Sequence, residues 1–318
     1  MTVSLMAQDG AQDGARNVTQ GTKGLRDSLG QNSRGWDLHC HTVFSDGTFS
    51  PTDLIRMASE QGLAGVAISD HDTIAGWSEA KEASTRYGVP LIRGTEITAQ
   101  HDHGRVSVHV LAYLYDCEDA HVLGLYEEMR QRRLERARAM VEKLSADYPI
   151  SWASVMEQVH EGDATTVGRP HIADALVAAG VYETRSDAFA GIISAKSPYY
   201  IPVFSPRVAT VVRALKDAGG VVVLAHSGAP SRNRSLLTDE DIEFFACQCG
   251  LDGLEVWHRD NPPEQRERLL GLAERYDLLV TGGSDWHGAG KPNVLGENTT
   301  DEQTVQEIIR RGRIRVLP

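Results

Sequence analysis

The stretch Asp37-Leu-His-Cys-His-Thr-Val-Phe-Ser-Asp46 decides how the chain is read. His39 and His41 stand two positions apart, and in an extended strand residues i and i+2 point to the same face. The spacing predicts two imidazoles projecting together from one strand end, with Asp46 in the loop just beyond. Neutral imidazole and carboxylate are the usual side-chain ligands of zinc, manganese and iron. A strand built this way needs partner ligands elsewhere in the chain.

Outward from this strand, predicted at 36–41, the sequence alternates. Ser50 is a candidate N-cap for a helix over 51–61, with Pro51 at the first helical position and Leu54, Ile55 and Ala58 on one face. A buried strand over 65–69 runs into Asp70-His71-Asp72. A helix over 75–87 follows, then a strand over 89–92 that leads to Gly94-Thr95-Glu96, and a strand over 106–113 that carries His109. This rhythm predicts a parallel α/β sheet or barrel, whose functional groups gather at the carboxyl ends of the strands. From about Asp116 the rhythm breaks. Helical patterns cover 120–146, 151–160, 171–179 and 185–190, so residues 117–203 read as a mostly helical insertion between barrel segments 34–116 and 204–318. In the second segment helices are expected over 206–218, 239–249, 263–276 and 302–311, and strands over 221–225, 253–256, 278–281 and 314–317. His226 closes the first of these strands, and Ser284-Asp285-Trp286-His287 follows the third.

Bulk properties set limits. The chain has 318 residues, 41% hydrophobic and 24% charged, with a net charge of −12. That suits a globular protein with a real core and argues against a nucleic-acid binder relying on a broad basic surface. The cysteines Cys40, Cys117, Cys247 and Cys249 show no zinc-knuckle spacing and read as reduced thiols of a cytoplasmic protein. Residues 1–33 are rich in Gly, Gln, Asp, Asn and Ser, repeat Ala-Gln-Asp-Gly at 7–10 and 11–14, and read as a disordered tail without targeting character. No stretch approaches the roughly 20 apolar residues of a membrane helix. No obligate protein partner is evident.

The candidate metal ligands are His39, His41, Asp46, His71, Glu96, His109, His226, Asp285 and His287. Singly, each has an ordinary use: Asp46 before Gly47 suits a turn, Glu96 a surface, His109 a core. Nine at corresponding strand edges point to a shared metal site instead. Asp37, Asp70 and Asp72 read either as acceptors orienting the imidazoles or as strand-end caps. The helix over 120–146 carries Arg130, Arg132, Arg133, Arg136 and Arg138; projected at 100° per residue, Arg130 and Arg133 fall in the apolar stripe of Tyr126, Leu134, Ala137, Val141 and Leu144.

The chain resembles the PHP (polymerase and histidinol phosphatase) superfamily over residues 35–318. The matching pieces are Asp37-Leu-His-Cys-His-Thr42 with Ser45-Asp-Gly47, Ser69-Asp-His-Asp-Thr73, Gly94-Thr-Glu96, Val108-His-Val-Leu-Ala-Tyr113, Leu224-Ala-His226 and Gly282-Gly-Ser-Asp-Trp-His-Gly288. Arg132-Arg-Leu-Glu-Arg136, Gly168-Arg-Pro-His-Ile-Ala173 and Tyr200-Ile-Pro202 in the insertion are similar to the stand-alone nucleotide phosphoesterase branch, which includes 3′,5′-nucleoside bisphosphate phosphatases and a 5′-to-3′ exoribonuclease.

The resemblance implies a distorted (β/α)7 barrel holding two or three divalent ions (manganese, zinc or iron, with magnesium also possible). One ion would take His39, His41, Glu96 and Asp285. A second would share Glu96 and add His109 and His226. A third would take Asp46, His71 and His287. Asp46, His71, His226 and His287 are also the expected catalytic residues. The implied substrate contacts are Arg133 and Arg136, with Arg169 and His171; His171 suits a structural helix start equally well. Relatives often read Tyr-His-Pro after Glu-Val, where this chain has Trp257-His258-Arg259. The implied activity is hydrolysis of phosphate monoesters of small nucleotides, such as 3′,5′-nucleoside bisphosphates, by metal-activated hydroxide. The alternative is a 5′-3′ exonuclease on short RNA or DNA. The filled ligand set argues against a non-enzymatic accessory domain, and the insertion argues against a histidinol phosphatase.

Overall fold

The structure, a computed structural model, describes residues 35–101, 106–202, 205–232 and 235–318. The tail expected over 1–33 lies outside the described residues. The described residues make one compact unit.

Seven strands form one sheet in chain order: β1 (Trp36–Asp37), β2 (Gly65–Ile68), β3 (Leu91–His101), β4 (Val106–Tyr113), β5 (Val221–Leu224), β6 (Gly253–Trp257) and β7 (Leu279–Gly282). Bridges from Trp36 to Thr300 and from Cys40 to Trp286 bring the first strand against the segment after the last, so the sheet curls into a nearly closed, distorted barrel. Short all-apolar strands such as Val221–Leu224, buried along their whole length, are what a sheet covered on both faces requires.

Two expectations are corrected. The sheet is not wholly parallel, because β4 runs antiparallel to both β3 and β5. Too few residues separate β3 from β4 for the crossover that a parallel pair needs. The strand expected over 314–317 is a single bridge between Leu317 and Leu91, not a ladder. The first strand also leaves its ladder after Asp37. Beyond it the backbone pairs with the 284–287 loop, His41 N donating to Trp286 O at 2.8 Å.

Helices α1 (Pro51–Gln61) and α2 (Trp77–Tyr87) cover the first half of the sheet. The α1 start is set by Ser50, whose side chain accepts from Asp53 N, and its end by Gly62 at φ 69°. At that angle a side chain would be strained and glycine is not. Between β4 and β5 come α3 (Ala120–Leu144), α4 (Trp152–Met156), α5 (Arg169–Ala178) and α6 (Arg185–Ala190). They pack around a core of their own that includes Met140, Leu144, Ile172 and Leu176. Helices α7 (Val208–Asp217), α8 (Asp239–Phe244), α9 (Pro263–Arg275) and α10 (Glu302–Arg311) complete the barrel. No helix among the described residues is long and apolar enough to cross a membrane.

Candidate metal centre

The sheet delivers all nine candidate ligands to one end of the barrel. His39 and His41 follow β1, His71 follows β2, and His226 follows β5. Asp285 and His287 follow β7. Glu96 and His109 share a face of the β3–β4 hairpin, because His109 pairs with Thr98 and Glu96 lies two residues before Thr98. Asp46 reaches in from the loop after His41. Of the five non-glycine residues with positive φ among the described residues, Asp72, His226 and Asp285 line this end, at 53°, 30° and 53°. Such backbone costs about 1–3 kcal/mol per residue and persists where surrounding structure enforces it, as at working sites.

The donor atoms converge. His39 Nε2 lies 3.1 Å from His41 Nε2, 3.3 Å from Glu96 Oε2 and 3.5 Å from Asp285 Oδ1. His41 Nε2 lies 3.1 Å from Glu96 Oε2 and 3.4 Å from Asp285 Oδ1. A tetrahedral ion with ligand bonds of 2.0–2.1 Å has ligand-to-ligand edges of about 3.3 Å, so these four atoms fit one cation. A second group joins His41, Asp46, His71 and His287, and a third joins His71, Glu96 and His109, each with donors within 4.8 Å of one another. His287 Nε2 is buried 3.1 Å from Asp46 Oδ1 without hydrogen-bond geometry; His71 Nδ1 is likewise buried without a hydrogen-bond partner, and so is His258 Nε2, 3.7 Å from Asp285 Oδ2. Orphaned imidazole nitrogens in a closed basin are expensive unless a cation uses them.

The first grouping coincides with the expected one. The second contains Asp46, His71 and His287 as expected and adds His41. The third differs: His71, not His226, joins Glu96 and His109. His109 Nδ1 sits 2.7 Å from Glu96 Oε1. His226 Nε2 faces the same oxygen at 3.1 Å but also meets Arg232 Nη1 at 3.0 Å.

Electrostatics follow from packing imidazoles against carboxylates. Burial pushes the His41 imidazole down, yet hydrogen bonds to Asp285 and Glu96 override it and hold it up at about 9. Burial would raise Asp285, but Lys291 and Arg232 hold it well below the usual carboxylate range. Burial lowers His287 to about 4, against the pull of Asp46.

Glu255 was not among the expected residues. Its Oε1 accepts from His39 Nδ1 at 2.8 Å, fixing the tautomer that turns Nε2 into the basin. Its signal was a lone carboxylate inside the apolar strand Gly253–Trp257. Arg232 and Lys291, both bonded to Asp285 Oδ2, carry no such signal. Among the described residues, the side-chain hydrogen bonds of Asp37, Asp70 and Asp72 go to groups other than imidazoles. Asp37 gathers Ser284 and Gly296, Asp70 gathers Thr42 and Ser45, and Asp72 takes Arg133. His258 is fully buried with its ring 5.2 Å from that of His226, whereas Arg259 turns to Glu297 and Asn293.

The arginines lie beside the basin. Arg133 Nε donates to Asp72 Oδ2 at 2.7 Å, next in sequence to His71, and the same guanidinium bonds Thr98 Oγ1. Arg136 and Arg169 both stack on Tyr200, at 5.0 and 5.5 Å. Arg136 donates to the carbonyl of Ile201 and Arg169 to that of Ile193, and among the described residues neither pairs with a carboxylate. Burial and the charge of Arg169 lower Arg136 to about 9. His171 Nδ1 accepts from Gly168 N, so that nitrogen is committed to the start of α5, and the ring borders a cavity of about 420 Å³ beside Gly47 and Thr48.

A barrel whose strand ends aim buried imidazoles and carboxylates at common points defines a metal-centred α/β protein. The sequence pattern of the PHP domain matches residues 37–200, and the chain belongs to that family. A 5′-3′ exoribonuclease of Haemophilus influenzae is 30% identical over 256 residues, covering 80% of this chain and 90% of its own. A 3′,5′-nucleoside bisphosphate phosphatase of Chromobacterium violaceum is 30% identical over 263 residues, covering 80% and 88%. A Bifidobacterium adolescentis protein, whose solved structure is described as that of a metal-dependent phosphoesterase, is 62% identical with a TM-score of 0.87, covering 89% of this chain and 98% of that one.

Proposed function

We propose that this protein is a metal-dependent phosphoesterase that removes a phosphate monoester from small nucleotides carrying two phosphates, such as 3′,5′-nucleoside bisphosphates. One observation carries the choice of substrate: the half-buried guanidiniums of Arg136 and Arg169, stacked on Tyr200 without a carboxylate counter-charge among the described residues, next to an Arg133 that reaches the residue after His71. Like charges repel, and a bound dianion relieves them through charge-assisted forks. One phosphate then lies on the arginines while the other enters the basin.

The residues that would hold divalent ions are His39, His41, Glu96 and Asp285 in one group, Asp46, His71 and His287 in another, and Glu96 with His109 in a third. His226 stands within reach of the last. Ions bound there supply a nucleophile from water at neutral pH and polarise the phosphoryl oxygens. Glu255 orients His39, the fixed backbone at Asp285 and His226 sets the donor directions, and the barrel end excludes bulk water. Asp46, His71, His226 and His287 would meet the reacting phosphate in this reading. The unpaired thiols suit a reducing compartment, and we place the protein in the cytoplasm.

A second reading, a 5′-3′ exonuclease on short oligonucleotides, is favoured by the cavity of about 420 Å³ lined by Thr48, Gln158 and His171, which has room for a further nucleotide. Incubation with manganese and adenosine 3′,5′-bisphosphate, AMP or a 5′-phosphorylated short RNA separates the two. Phosphate release from the bisphosphate, with AMP left intact, is expected. Stepwise shortening of the RNA without phosphate release would replace the first reading by the second.

A further inference from the structure

Arg232 reaches into the basin from the loop after β5 and binds three groups. Nη2 donates to Asp285 Oδ2 at 2.6 Å, Nε donates to Asp260 Oδ2 at 2.9 Å, and Nη1 meets His226 Nε2 at 3.0 Å. A guanidinium has only donors, so His226 Nε2 must be the acceptor in the last contact. An imidazole nitrogen offers one lone pair, the same one a divalent ion would use. Glu96 Oε1 stands 3.1 Å from that nitrogen. Two acceptors do not hold that separation unless a positive group sits between or beside them, and Arg232 supplies it. Arg232 and an ion on His226 are therefore alternatives. Among the described residues His226 lies outside the three convergent donor groups although it touches Glu96. Lys291 places its ammonium 2.9 Å from the same Asp285 oxygen, giving a second cation of like charge that bonds a different atom set.

We propose that Arg232 is a built-in competitor for the cation position bounded by His226 and Glu96. It caps His226 and must leave that nitrogen when an ion binds, the planar guanidinium giving up its Asp260 bond as it pivots on Asp285. The position at His226 is then the last to fill and the weakest. This rests on the metal reading given above. A position left open one tenth of the time binds about tenfold more weakly than it would if always open.

The test is titration of the metal-free full chain with Mn²⁺, counting bound ions by elemental analysis, with melting temperature measured in parallel. Arg232→Ala should tighten the weakest ion about tenfold, by more than any change at the ion held by Asp285, which also loses a hydrogen bond. It should also lower the melting temperature of the metal-free protein, which loses the group covering His226 and Glu96. Lys291→Ala should not tighten the weakest ion. If Arg232→Ala does not fold without metal, Arg232→Met, which keeps the apolar stem, takes its place in the same titration. Unchanged affinity in the Arg232 variant overturns the proposal, as does equal tightening in Lys291→Ala, which would reduce the effect to bulk charge. A wild-type chain that binds no ion overturns the metal reading and this inference together; one that binds several, with Arg232→Ala identical, overturns the inference alone.

Discussion

His39 has two nitrogens, and Glu255 decides which one works. With Nδ1 donating at 2.8 Å to Glu255 Oε1, Nε2 is left as a lone pair toward Glu96 and Asp285. Glu255→Gln keeps the shape and removes the charge, and the amide can present its NH2 to Nδ1 and favour the wrong tautomer. Metal affinity should fall about 10–100-fold while the fold stays intact, read by metal titration beside circular dichroism; unaltered affinity would mean that Glu255 is only a core hydrogen bond. The ring of His41 sets a pH dependence. The folded His41 value of about 9 lies above the roughly 6.5 of an unfolded chain. Its contribution to stability is therefore fully present below about 6.5 and lost as pH rises through 9. In chelator, the melting temperature of the metal-free protein should drop across that window, and the manganese-loaded protein should show a smaller drop. At this scale the ligand residues were legible in the sequence because strand-end histidines and acids stand out. Arg232 was not, since an arginine in a Ser-Arg-Asn-Arg loop looks like solvent-facing charge until the fold turns it onto His226.

Among the elements, the loop after β7 is tightly constrained. A methyl group on Gly283 would lie 2.3 Å from His39 Cβ and 2.9 Å from His39 N, closer than packed atoms tolerate. Gly283→Ala should therefore displace His39 or the Ser284–His287 turn, cutting metal binding and lowering the melting temperature together. A variant with normal ion content and activity would show that this contact yields cheaply. The alternation of helices and strands was readable, as was the helical break after Asp116, because hydrophobic period carries that information. The direction of β4 was not, because an apolar strand carries no mark of its neighbours' orientation; only the short β3–β4 connection held a clue. In α3 the projection pointed inward for Arg133, and Arg133 indeed reaches Asp72. Arg136 lay outside the apolar stripe yet is drawn over Tyr200, because tertiary packing from residue 200 covers that side of the helix.

For the whole molecule, the arginine cluster and the metal basin are separate parts that the proposed substrate bridges. Arg136→Ala or Arg169→Ala should raise KM for a nucleoside bisphosphate about tenfold or more, the range for losing a charged hydrogen bond, with bound metal unchanged by elemental analysis. Equal loss of metal and substrate affinity would make the cluster structural. The barrel's seam bears on how the molecule comes into being. Asp37 bonds Ser284 across 247 positions of chain, so His39 leaves the ribosome long before Asp285 does. At roughly 5–20 residues per second that interval is on the order of 10–50 s. Throughout it the nascent chain carries imidazoles with no carboxylate from the last strand to complete their cage, so capture of a cation should be among the latest events in its synthesis.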